Sequence, residues 1–101
     1  MTQFAVYPMP RGRPGYIVDV QSRLLEELST RVVIPLIPKG AAPAIPVKTL
    51  NPLFSIDGGE YVLMTQNMAS VPNAQLRVPV GTLATQRDHI VRAIDALLSG
   101  I

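Results

Sequence analysis

Cysteine is absent from this chain of 101 residues, which excludes disulfides, thiolate chemistry and cysteine metal sites. That composition fits a reducing compartment, and the cytoplasm is the expected location. Histidine occurs once, as His89, so no close set of metal ligands can be assembled, and neither metal nor cofactor is expected. Long apolar runs are missing as well. The longest, residues 32–37 (broken by Pro35) and 61–64, fall far short of the roughly 20 residues needed to cross a bilayer. No basic flank leads into an apolar stretch near the start, so no signal peptide and no membrane association are expected.

A strong charge imbalance is also missing. Nine basic and seven acidic residues leave a net charge of +2. The basic residues are scattered, Arg11 and Arg13 are their only close pair, and the five aromatics, three tyrosines and two phenylalanines, are too few to interleave with them. This is the pattern of a solvated surface rather than of a direct nucleic-acid footprint.

What is present is a chain 48% apolar, enough for one modest core and hence a single domain over residues 1–101. A chain of this size is marginal alone, and dimerisation would bury surface that a small core leaves exposed. Residues 3–7 alternate as a half-buried strand does, with Phe4 and Val6 on one face. A loop punctuated by Pro8, Pro10, Gly12, Pro14 and Gly15 leads to a second strand over residues 16–20, giving a hairpin. Residues 31–38 read as a central strand in which Pro35 requires an edge position or a bulge.

Four prolines in residues 38–52 oppose regular structure, with one short strand expected near residues 45–48. Asp57-Gly58-Gly59 between two apolar runs, 53–56 and 60–65, is a strong hairpin signal. Further extended segments are expected at 68–71 and 74–79. Ile90, Val91, Ile94, Leu97, Leu98 and Ile101 recur at steps of three and four, forming the apolar stripe of an amphipathic helix. Thr85 is the candidate N-cap with Asp88 three residues on, and Gly100 the candidate left-handed stop.

Little in the chain has the pattern of catalysis. His89 lies on a helix with no partner base or ligand. Glu26 and Glu27 are neighbours in a turn, Ser55, Ser70 and Ser99 have no base beside them, and Gly58-Gly59 lacks the spacing that cradles phosphate. No catalytic residue is assigned, and the chain is not expected to be an enzyme. Leu24 and Leu25 are more telling. Adjacent leucines in an extended chain cannot both point inward, so at least one is exposed or meets a partner. Met64 and Met68 are expected in the core or at a dimer interface.

Two stretches carry a family likeness. One is Val18-Asp19-Val20-Gln21-Ser22 with Leu24-Leu25, followed by Arg31-Val32-Val33-Ile34-Pro35-Leu36. The other is Met64-Thr65-Gln66-Asn67-Met68-Ala69-Ser70-Val71-Pro72, ahead of a helix ending Gly100-Ile101. Together they resemble the CcdB family of toxins from toxin–antitoxin pairs. The resemblance implies a mostly β fold: an SH3-like barrel of antiparallel strands with a small side sheet and a C-terminal helix, working as a homodimer. It implies binding to the A subunit of DNA gyrase and trapping of the cleaved gyrase–DNA complex. It also implies a CcdA-like antitoxin, and contact with operator DNA only through the toxin–antitoxin complex, for autoregulation.

Carried onto this sequence, the gyrase-binding positions are Leu24, Leu25, Asp95, Ser99, Gly100 and Ile101. The family's characterised toxin has tryptophan where Ser99 stands and asparagine where Asp95 stands. A protein that still binds its antitoxin but poisons gyrase weakly is therefore the alternative. A second alternative is a ribonuclease like the MazF-type toxins, which resemble this chain around the Arg31 strand; Arg13, Arg31 and Asp19 would then be the reactive groups.

Overall fold

The computed structural model describes residues 2–43 and 47–100. Among these, seven strands precede one helix: β1 Ala5–Pro8, β2 Tyr16–Asp19, β3 Thr30–Pro38, β4 Leu53–Ile56, β5 Gly59–Leu63, β6 Ala69–Pro72, β7 Gly81–Thr82 and α1 Arg87–Leu98. The sheet runs in the order β4-β5-β3-β2-β1-β7, with β6 beside the first half of β3 as a small side sheet. Its described pairings are all antiparallel. The expected mostly β fold of antiparallel strands with a small side sheet and a C-terminal helix is what the chain forms, its strands making a half-barrel.

The expected hairpin of β1 and β2 is present, with Val6 opposite Val18. Gly15 at its exit has φ of 106°, and a Cβ there would collide with the Leu36 carbonyl oxygen, so only glycine fits. β1 itself is not half-buried. Phe4 and Val6 enter the main core with Ile34, Leu36, Leu63 and Ile90, while Ala5 and Tyr7 are buried on the opposite face with Ile17, Val33 and Leu76. A second small core thus lies outside the barrel, and the chain after β6 covers it through Leu76.

Pro35 takes neither an edge position nor a bulge. It lies mid-way along the central strand, opposite Ile17 of β2. On the other side of β3, β6 pairs as far as Val33 and β5 begins at Leu36. The Pro35 carbonyl points to that junction and accepts from Met64 N at 2.8 Å. Its nitrogen faces the same way, to a place where no ladder bond is needed.

Asp57 and Gly58, with φ of 50° and 83°, form the two-residue turn between β4 and β5, as Asp-Gly predicts. The short strand expected near 45–48 is not borne out in its second half. Ile45 and Pro46 lie outside the described residues, and Val47 and Lys48 belong to no strand. Buried Asn51 holds this region instead. Its Oδ1 accepts from Val47 N at 3.0 Å, and its Nδ2 donates to Leu63 O and to Gln66 Oε1. The expected strand at 74–79 is also corrected: Asn73–Gln75 is a 3-10 turn, and the next pairing is the two-residue β7.

Thr85 does not cap α1. The chain enters the helix through a 3-10 turn, Ala84–Gln86, and the hydroxyl that accepts a backbone N–H there is that of Thr82, from Ala84 N at 3.1 Å. Asp88 lies in the first turn and Gly100 has φ of 69°, both as expected. Ile90 and Ala93 are fully buried, whereas Leu97 and Leu98 are 37% and 71% exposed. The apolar stripe therefore meets the barrel only over its first half.

One charge pair lies inside. Arg31 Nε donates to Asp19 Oδ2 at 3.0 Å, with Nη2 2.9 Å from the same oxygen, and both side chains are almost wholly excluded from water. Among the described residues, neither terminal nitrogen of Arg31 has a hydrogen-bond partner. Removing one member strands the other's charge, which costs about 3–5 kcal/mol. That is a large fraction of the roughly 5–15 kcal/mol that holds a small protein together. Asp19→Ala is therefore expected to unfold at much lower urea, and an unchanged midpoint would contradict this account of the pair.

Tyr7 lies in the same outer core. Burial raises its phenol above the ordinary value, the Asp19 carboxylate adds to the rise, and Arg31 opposes it. A raised folded value favours the neutral phenol. Its contribution to stability is complete below about pH 10, the unfolded value, and is lost as pH climbs through the folded one. Replacing Tyr7 with phenylalanine is expected to flatten the alkaline limb of the stability curve; denaturant midpoints between pH 8 and 11 would show it.

Candidate partner-binding site

The residues assigned from sequence fall on two elements. Leu24 and Leu25 lie in a 3-10 turn, Arg23–Leu25, between β2 and β3. The turn forms because Ser22 Oγ accepts from Leu24 N at 3.2 Å while the Ser22 carbonyl accepts from Leu25 N at 3.0 Å. Leu24 is 92% exposed and Leu25 50%. Both therefore point away from the core, beyond the expectation that at least one would.

Such exposure costs about 1.5–3 kcal/mol per leucine relative to burial, so the turn needs outside support. Gln21, itself buried, supplies it. Its Nε2 donates to Leu25 O at 2.9 Å and its Oε1 accepts from Val32 N at 3.0 Å. Gln21 N in turn donates to Asp19 Oδ1 at 3.0 Å, which links the turn to the buried ion pair. Sequence reading missed this role. The available signal was Asp19 and Arg31, one charge of each sign inside two adjoining apolar strands.

The other element is the end of α1. Asp95 is exposed, and its carbonyl accepts from Ser99 N at 2.8 Å, Gly100 N at 3.1 Å and Ser99 Oγ at 2.9 Å. The left-handed Gly100 closes the helix in this way, and the serine hydroxyl is turned back onto its own helix. Ile101 lies outside the described residues. No hydrogen bond or ion pair among the described residues joins this end to the Leu24–Leu25 turn. One chain presents the two as separate features.

The three groups of the ribonuclease alternative are not assembled in an open groove. Arg31 and Asp19 neutralise each other inside the protein. Arg13 is exposed and, with Arg11, rims a groove of about 450 Å³ floored by Ile17, Val33, Pro35 and Val71. Among the described residues, no carboxylate or imidazole lines that groove. His89 is exposed on α1, and no group of three potential metal ligands exists among the described residues. No helix there is long and apolar enough to cross a membrane.

Among solved structures, the toxin MazF-mt6 from Mycobacterium tuberculosis is similar in fold. It has a TM-score of 0.63 and 16% identity, with 90% of this chain and 92% of that one covered. The family model described as CcdB protein matches residues 3–100. With the half-barrel, its C-terminal helix and nearly the whole length matched, the chain belongs to the CcdB family of toxins.

Proposed function

We propose that this chain is a toxin of a toxin–antitoxin pair that binds the A subunit of DNA gyrase and holds the cleaved gyrase–DNA complex. The observation that carries this reading is the exposed leucine pair, set on a turn tied to the buried polar network. Exposed apolar side chains on a preformed backbone are what a gripping surface needs, because little conformational freedom is lost on binding. Asp95, Ser99, Gly100 and Ile101 form the second part of the grip.

The protein acts in the cytoplasm as a homodimer and not as an enzyme. Exposed Leu97 and Leu98 support the dimer, and the closed Arg31–Asp19 pair argues against RNA cleavage. A CcdA-like antitoxin neutralises it, and operator DNA is reached only through that complex. The folded-back Ser99 hydroxyl favours a modified form of this reading, in which antitoxin binding is kept and gyrase poisoning is weak.

Gyrase incubated with DNA and micromolar protein is expected to yield linear DNA on detergent and protease treatment, and Leu24→Asp should abolish it. Absence of any trapped complex would overturn the poisoning reading, while growth arrest with intact DNA and degraded transcripts would point to a ribonuclease.

Ser99→Trp is expected to tighten binding to the gyrase A subunit. A tryptophan side chain buries around 200 Å² and as a central contact contributes about 2–4 kcal/mol, equivalent to tens- to several-hundredfold in affinity at about 1.4 kcal/mol per decade. Calorimetric titration of the two proteins would measure it, and equal affinities would mean that this tail does not contact gyrase.

A further inference from the structure

The turn that carries Leu24 and Leu25 holds a third leucine. Leu28 is 49% exposed, and its amide donates to Leu25 O at 3.1 Å, which folds residues 25–28 into a second tight turn. Three outward leucines within five residues form a compact apolar projection.

The backbone beneath is fastened at both ends by side chains from elsewhere. Gln21 Nε2 reaches Leu25 O. From the far side, Asn73 Nδ2 donates to Leu28 O at 2.9 Å and Asn73 N donates to Ser29 O at 2.9 Å. Asn73 stands just past β6 and is 45 residues away from Leu28 in sequence. Its Oδ1 is buried without a partner among the described residues, an arrangement that is itself unfavourable for stability.

We propose that Leu24, Leu25 and Leu28 form one preset apolar knuckle, that Gln21 and Asn73 are its positioning residues, and that Leu28 is a contact for the same target. This rests on the reading of the turn as partner-binding. Glu26 and Glu27 stand between the leucines, both exposed and in no ion pair among the described residues. The complementary surface is therefore apolar at its centre and basic at its rim, as on a protein subunit that handles DNA.

The test uses the full chain in four variants. Gln21→Glu keeps the acceptor for Val32 N and loses the donor to Leu25 O; Asn73→Ala removes the clamp at Leu28. Each is expected to speed hydrogen exchange at the Leu25 and Leu28 amides by about two- to twelvefold, the effect of one lost hydrogen bond. The same two variants should weaken binding to the gyrase A subunit while exchange in β2 and β3 stays slow. Unchanged exchange at Leu25 and Leu28 in both variants overturns the positioning role, whatever binding does.

Leu28→Ala and Leu24→Ala should each weaken binding by about tenfold or more, with melting temperature shifted by no more than a few degrees. Weakening by Leu24→Ala alone refutes the knuckle and leaves the gyrase reading standing. Unchanged binding in both leucine variants removes the target for both. Affinity that falls with added salt supports the basic rim, and salt independence counts against it.

Discussion

Arg31 and Asp19 meet between β3 and β2 with almost no access to water, and each charge is tolerable there only in the presence of the other. The consequences reach outward. The second Asp19 oxygen takes the Gln21 amide, and the Gln21 side chain spans Val32 N and the Leu25 carbonyl, so the orientation of the ion pair is passed to an exposed turn. Dryness has to be maintained as well. β6 places Val71 opposite Arg31, and Leu76 closes over Tyr7 and Val33 in the outer core. The side sheet and the irregular segment after it are thus parts of one cover.

The fold likeness to MazF-mt6 carries no activity with it. A barrel of this kind is a support, and the chemistry lies in whatever groups are left open on it. Here the strand pair β2–β3 carries an acid and a base that are spent on each other. Among the side chains left open are leucines on one turn and leucines at the end of a helix.

Much of this architecture was legible in the chain. Asp57-Gly58 dictated a two-residue turn, the three-and-four spacing after residue 86 dictated a helix, and the short β-branched and aliphatic runs around Val18 and Ile34 pointed to strands. The errors have physical causes. β1 read as half-buried because Ala5 and Tyr7 do not announce a second cover, which comes from Leu76, about 70 residues away. β7 has two residues, too few for any periodicity to register. Thr85 looked like a cap because Asp88 follows it, but a 3-10 turn placed the useful hydroxyl at Thr82. Of the candidate site, adjacency alone predicted that at least one of Leu24 and Leu25 would be exposed, and both are. Their support was not legible, because Gln21 and Asn73 act through bonds of long sequence separation.

Pro35 also guards against mispairing. A one-residue slip of β3 would turn the strand over, leaving β2 facing a residue with no N–H to give and turning the Arg31 guanidinium onto the face that carries Ile34 and Leu36 into the main core. A two-residue slip would keep the faces but carry the imino nitrogen out of its junction into the ladder of β5 or β6. Each wrong alignment meets a penalty that the native one avoids. A proline at the middle of the longest strand, at first sight a flaw, therefore lets a small, marginal sheet choose one register among several.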